Sequence, residues 1–272
     1  MLTPEMSIVI RAYNAELFIE ETILSAVRQN HLTGDHEIIV VNDGSTDRTP
    51  AIVTSIQAQL PRDFVRVNST DNRGEAAAAN TGVMSARAGK ILFLDSDDLI
   101  VPQALYVLSK GLDKHVVASG EKRGFRRGKR GETIFTYSPR SSKKTQLLRP
   151  ADNPEELYYL HANILGAPRA FRRTDYERVG GSDENMRVAD DYDLGLRIIY
   201  PGKALPVFVT NRVLFYHRRV GNSQSFRNRT LQSREAETAI NRAFSRLGIS
   251  GLQASAAGRD DTGYLFFAHI PA

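Results

Sequence analysis

The 272-residue chain contains no cysteine and no tryptophan. Without thiols it has no disulfide, no thiolate metal site and no thiol nucleophile, so any metal must be held by oxygen or imidazole. Long apolar runs are missing as well. None approaches the roughly 20 residues that a membrane span requires, and the N-terminus lacks the basic-then-apolar layout of a signal peptide. The expectation is a cytoplasmic protein. There is no internal repeat, and no helix-turn-helix, zinc-finger or RNP pattern that would point to nucleic acid. What remains is ordinary for a folded enzyme: 41% hydrophobic residues, enough for one large core or a core with a smaller lobe.

The formal charge of +5 conceals an asymmetry, because ten Lys and Arg between Lys122 and Arg149 face only Glu132. Such a run reads either as a solvated excursion or as a surface for anionic lipid headgroups or a phosphorylated acceptor. Loop mobility is expected between Tyr137 and Arg149.

The most informative segment is Lys90-Ile91-Leu92-Phe93-Leu94-Asp95-Ser96-Asp97-Asp98, an apolar strand pattern that ends in three carboxylates within four positions. Uncompensated carboxylates this close raise one another's pKa unless a cation or donor groups share the site. A hard divalent ion that also grips a diphosphate satisfies that need, and an acidic loop or cap is the alternative. Upstream, Ser7-Ile8-Val9-Ile10 leads through a turn into a helical pattern on Phe18, Ile19, Ile23, Leu24 and Val27. Glu37-Ile38-Ile39-Val40-Val41 then reads as a fully buried strand, followed by turn chemistry and a helix from about Thr49 to Leu60. Two βα units imply a parallel sheet, with ligands at the carboxyl ends of its strands, where Tyr13, Asn14, Asp43 and the Asp95 to Asp98 cluster converge.

Together these blocks resemble a family 2 glycosyltransferase of GT-A fold from about Ser7 to Ser225. The resemblance rests on Ser7 to Glu16, Glu37 to Asp47, Asn72-Arg73-Gly74 with Asn80-Thr81-Gly82, Leu94 to Asp98, Phe171-Arg172-Arg173 ahead of Val179-Gly180-Gly181, and Asp190-Asp191-Tyr192-Asp193-Leu194. It implies an α/β, GT-A-like fold: a mainly parallel central sheet flanked by helices, with a C-terminal helical tail. Residues 1–110 would form the nucleotide-sugar donor half, 111–225 the acceptor half with a basic excursion at 122–149, and 226–272 a C-terminal helix and tail.

The implied activity is inverting transfer of a sugar from a nucleotide-diphosphate donor, UDP by preference, to a hydroxyl of a glycan or lipid-linked acceptor. Surface or secreted glycan assembly is the implied setting, with peripheral contact to anionic membrane and no nucleic acid. By resemblance, Asp43 accepts a hydrogen bond from the base, Ala12 and Tyr13 line it, and Arg73 approaches base and diphosphate. Asp95 serves the ribose side and Asp97 the Mn2+ or Mg2+ ion, with Asp98 in support. Asp191 is the base that takes the acceptor's proton, its pKa raised by partial burial or by Asp190.

Two departures stand out. Arg11 occupies a position where the family commonly carries Pro, and Val220 replaces the common histidine ahead of Ser223. His217 is then either a compensating metal ligand or a structural residue, and Arg218 is the candidate diphosphate contact. Gly195 replaces a bulky aromatic and would widen the acceptor side. Three rival classes stay in view. A sugar nucleotidyltransferase should open with a Gly-rich phosphate loop, which is lacking. A haloacid-dehalogenase-like phosphatase should carry its Asp-x-Asp on the first strand. A non-catalytic sugar-nucleotide-binding protein is opposed by the joint presence of Asp43, Asp97 and Asp191.

Overall fold

A computed structural model of the chain describes residues 3–30, 35–128, 132–136, 169–203, 205–219, 228–259 and 265–271. The two expected βα units form. Strand β1 (Met6–Ala12) and helix α1 (Ile19–Val27) are followed by β2 (His36–Asp43) and α2 (Thr49–Gln59). A third unit, β3 (Val65–Thr70) with α3 (Glu75–Ser85), precedes β4 (Lys90–Asp95). These four strands run parallel in the order β3-β2-β1-β4, and β1, β2 and β4 are apolar nearly throughout because helices cover both of their faces.

Beyond β4 the sheet becomes mixed. The chain continues through β5 (Leu99–Ile100), α4 (Ala104–Leu112), β6 (Val117–Arg127), β7 (Thr133–Thr136), β8 (Ala170–Arg172), α5 (Arg173–Arg178), α6 (Asp190–Ile199) and β9 (Val207–Arg218). Strand β8 pairs antiparallel with both β4 and β6, β9 runs parallel to β6, and β5 closes antiparallel on β9. One core lies on the α1, α2 and α4 face, built around Ile8, Ile10, Ile38 and Leu92. The other, with Val9, Val41, Phe93 and Phe171, receives α3, α5 and α6. Close packing of α3 explains Gly82, since a Cβ there would lie 2.3 Å from Cγ1 of Val9.

The basic excursion is corrected in its first part. Lys122 to Arg127 belong to β6, which pairs with β7 and β9. Arg123 and Phe125, two positions apart, share a face of the strand; Phe125 is buried, and the exposed Arg123 lies over the Phe135 ring, 4.5 Å from its centroid. Lys129, Arg130 and the stretch from Tyr137 to Arg149 lie outside the described residues.

The expected C-terminal helix is α7 (Arg229–Arg246), with Ile240 and Phe244 buried against the α3 face core. The apolar run after it becomes β11 (Leu265–Pro271), antiparallel to β10 (Leu252–Arg259). Among the described residues no helix is long and apolar enough to cross a membrane.

Candidate active site

The carboxyl ends of β1, β2 and β4 meet on one edge of the sheet, and their loops interlock through side-chain hydrogen bonds. Asn14 Oδ1 accepts from the Thr46 amide at 2.8 Å, and the Asn14 amide donates to Ser45 Oγ at 3.0 Å. Asp47 accepts from the amides of Glu16 (3.0 Å) and Thr49 (2.9 Å). Gly44, at φ +72°, lets the turn after β2 pass close to Asn72, where a Cβ would come within 2.6 Å of the backbone nitrogen.

Asp43 ends β2 almost fully buried. Its two carboxylate oxygens accept the amides of Arg73 (2.9 Å) and Gly74 (2.8 Å), which shapes the loop leading into α3. A carboxylate offers about four acceptor sites, so capacity remains for a ligand N–H. Ala12 is buried beside it at the end of β1, while Tyr13 is 49% exposed and presents its ring to solvent. Arg73 is close through its amide, but its guanidinium forms an exposed ion pair with Glu184 at 2.7 Å. The structure therefore brings Ala12, Tyr13, Asp43 and Arg73 to one edge, with the Arg73 head group turned toward the acceptor half.

The acidic triplet divides by environment. Asp95 ends β4 and receives Arg11 Nη2 at 2.6 Å; burial works against its charge, yet Arg11 holds its carboxyl below the usual range. Asp98 is buried and accepts the Arg218 amide at 2.9 Å, with His217 Nδ1 3.1 Å away. Among the described residues no cation forms an ion pair with the Asp97 carboxylate. Burial first, then the charges of Asp98 and Asp95, push it up to about 7, although the charge of His217 opposes the shift.

Arg218, expected on the diphosphate, is committed elsewhere. Its Nε donates to the Asp97 carbonyl at 2.8 Å and its Nη2 to Glu21 at 2.7 Å. The guanidinium sits between the rings of Phe18 and Phe125, 4.9 and 4.6 Å from their centroids. Arg218 thus braces the turn that carries Asp97. His217 likewise faces Asp98 rather than Asp97.

Asp190 and Asp191 open α6, where negative charge suits the helix N-terminus. Asp191 has a side chain 32% exposed and receives Arg169 Nη2 at 2.9 Å. Asp190 beside it is buried, and burial together with the charge of Asp191 pushes its carboxyl up to about 6 against the opposing pull of Arg11. Arg11, Phe93, Asp95, Arg169, Phe171, Asp191 and Leu194 line one pocket that opens to solvent. The donor-side carboxylate and the candidate base therefore share a cavity.

Sequence reasoning missed Arg169 and Glu235. The first holds Asp191; the second, on α7, accepts the amides of Arg187, Val188 and Ala189 at 2.9 to 3.1 Å and so fixes the backbone entering α6. Neither sits in a recognisable motif. Arg169 stands just ahead of Ala170-Phe171, and Arg172 and Arg173 follow so closely that it could not be singled out from them.

Residues 7–180 match the family described as Glycosyl transferase family 2. The hyaluronan synthase of Pasteurella multocida is 29% identical over 252 residues, an alignment that takes in 91% of this chain and 24% of the synthase. The chain thus spans about a quarter of that relative's length. Among solved structures, the mannosyltransferase PcManGT from Pyrobaculum calidifontis in complex with GDP-Man and Mn2+ superposes with a TM-score of 0.65 at 20% identity, over 90% of this chain and 65% of that one. S. aureus TarS 1-349 in complex with UDP gives 0.59 at 19% identity, over 89% and 72%. These likenesses establish the shared GT-A architecture.

Proposed function

The chain belongs to glycosyl transferase family 2, and on that premise we propose that it moves a sugar from a nucleoside-diphosphate donor to an acceptor hydroxyl with inversion at the anomeric carbon. The observation that carries this reading is the shared pocket, with Asp95 on its donor side and Asp191 on the other. A base placed across the sugar from the leaving group is what a single inverting displacement needs. Asp191 takes the hydroxyl proton onto its carboxylate as the acceptor oxygen attacks. Arg169 orients that carboxylate through its ion pair.

On the donor side, Asp43 accepts the imide N–H of uracil, Tyr13 offers its ring to the base, and Asp95 serves the ribose. The UDP held by the TarS structure supports a uridine donor, and the GDP-Man and Mn2+ of the mannosyltransferase support a nucleoside diphosphate with a divalent cation.

Whether this chain's residues suit such a cation can be judged from its donor set. Asp97 is an oxygen ligand whose neighbours disfavour an unshared charge, which fits a hard ion. Among the described residues no group of three or more His, Asp or Glu is placed to hold a metal, so Asp97 would bind Mn2+ or Mg2+ jointly with diphosphate oxygens. Bound there, the ion would neutralise charge developing on the departing diphosphate. Arg218 and Glu21 keep the Asp97 turn in place, and Asp98 anchors its far end.

The setting we favour is assembly of a surface or secreted glycan at the cytoplasmic side of a membrane, on a glycan or lipid-linked acceptor. The basic composition of residues 122–149 supports peripheral contact with an anionic bilayer. A screen of UDP- and GDP-sugars for released nucleoside diphosphate, with and without Mn2+, tests the activity. Calorimetry of UDP with Mn2+ tests the site: Asp97→Ala should lose metal-dependent affinity by at least about tenfold while keeping its melting temperature. Unchanged metal-dependent affinity in that variant would remove Asp97 from the donor site.

A further inference from the structure

Arg11 stands where the family pattern commonly has proline, on the β1 face that also carries Val9, and its guanidinium lies between the two halves of the site. Its Nη2 is 2.6 Å from Asp95 Oδ1 at the end of β4. Its Nη1 is 3.7 Å from Asp190 Oδ2 at the head of α6 and 3.9 Å from Glu75 Oε2 at the head of α3. The side chain is 9% exposed, and the guanidinium carbon lies 5.3 Å from the centroid of the Phe93 ring. Burial opposes its charge, but Asp95, Glu75 and Asp190 together hold it protonated.

Such a placement needs a reason. A cation beneath two helix N-termini faces the positive ends of both dipoles, so it is tolerated only because an acid sits in the first turn of each helix. The planar fork can hold carboxylates on two sides at once, which a point charge does poorly. We propose that Arg11 is a positioning residue, tying the acid pair at the head of α6 to the donor carboxylate of β4 and thereby holding Asp191 in register with the donor. This rests on the glycosyltransferase reading for its consequence and on the geometry alone for its premise.

The group that reports the tie is Asp190. Arg11 faces it from β1, Glu75 from α3, Tyr176 from α5, Arg169 from the residue before β8, and Asp191 from its own helix. The test compares Arg11→Gln and Arg11→Lys with wild type. Asp190 is followed by NMR of isotope-labelled aspartate and assigned by its loss in Asp190→Asn, while kcat is read as UDP released from the sugar donor that the screen selects. In Arg11→Gln the Asp190 midpoint should rise by about one unit or more, as expected for losing an opposite charge at this range. Its kcat should fall about ten- to hundredfold, the scale of a displaced catalytic group. Arg11→Lys, which keeps the charge and serves if the first variant does not fold, should restore the midpoint but leave kcat about tenfold low, because one ammonium cannot bridge as a fork. An unmoved Asp190 midpoint in folded Arg11→Gln, or full kcat in either variant, overturns the proposal. If the wild type releases no UDP from any donor, the donor reading falls, and the Asp190 midpoint still decides the tie.

Discussion

Replacing Asp191 with Asn separates chemistry from binding more cleanly than any other change at this site. Asn keeps the shape and one acceptor oxygen toward Arg169, which sits 2.9 Å away, but cannot accept the acceptor's proton. The loss of a positioned general base costs about two to four decades in rate, which at 1.36 kcal/mol per decade is about 2.7 to 5.4 kcal/mol of transition-state stabilisation. The donor side should not notice, because Asp191 contacts neither Asp43 nor the Asp97 turn. Stability should change little: one charge-assisted hydrogen bond becomes a neutral one, about 1 kcal/mol, or about 2–4 °C in melting temperature. The assay is UDP release at saturating donor and acceptor, with UDP affinity measured separately by calorimetry. The expected pattern is a collapse of kcat at constant donor affinity. A kcat within about threefold of wild type would mean that another residue takes the proton, and the role given to the shared pocket would fail with it.

The parts of the fold legible in the sequence are those whose burial is symmetrical. β1, β2 and β4 are covered on both faces, so their sequences read as unbroken apolar runs and their ends could be placed to within a residue or two. β6 was not legible. Its second half, Lys122 to Arg127, contains one apolar side chain, Phe125, and owes its conformation to pairing with β7 and β9 rather than to its own pattern. β8 has three residues, too few to show a period. Its antiparallel insertion between β4 and β6 is what turns a parallel sheet into a mixed one.

The candidate site divides in the same way. Asp43, Asp97 and Asp191 stand in short motifs whose spacing is visible, whereas the groups that hold them act across long separations. Arg11 could be noticed as a basic residue in an apolar strand, but its partner Asp95 lies 84 positions away. Glu235 lies on α7, 46 to 48 positions from the amides it accepts, and nothing in the sequence of that helix distinguishes it from Glu237, its other acid. Arg218 was legible as a functional residue, but its ion pair with Glu21, 197 positions earlier, could not be foreseen from the sequence.

Two further outcomes test the supports of the site. Glu235→Ala should free three backbone amides ahead of α6, lowering kcat about tenfold through displacement of Asp191 and stability by about 2 kcal/mol; Glu235→Gln should recover most of both, and wild-type kcat in the alanine variant would deny the brace. Glu37 tests the sheet itself. Its fully buried carboxylate accepts the Ser7 hydroxyl (2.6 Å), the Arg87 amide (2.7 Å), and the guanidiniums of Arg87 and Arg66 (both 2.8 Å). Burial alone would raise its pKa, but those donors hold it below the usual 4.5. A depressed folded-state pKa contributes stability that is present above the unfolded value and lost as pH falls through the folded one. Breaking the cluster with Glu37→Gln should cost about 3 kcal/mol at neutral pH, the low end for a buried pair because Arg66 and Arg87 can reach water. That is about 6–12 °C in melting temperature. The gap between variant and wild type should begin to narrow below about 4.5, where the unfolded chain's carboxylate takes up its proton, and should close as pH falls through the lower folded-state value. Thermal melts followed by circular dichroism from neutral pH downward would show it, and a gap that stayed constant or widened toward acid would mean that Glu37 is not ionised in the folded protein.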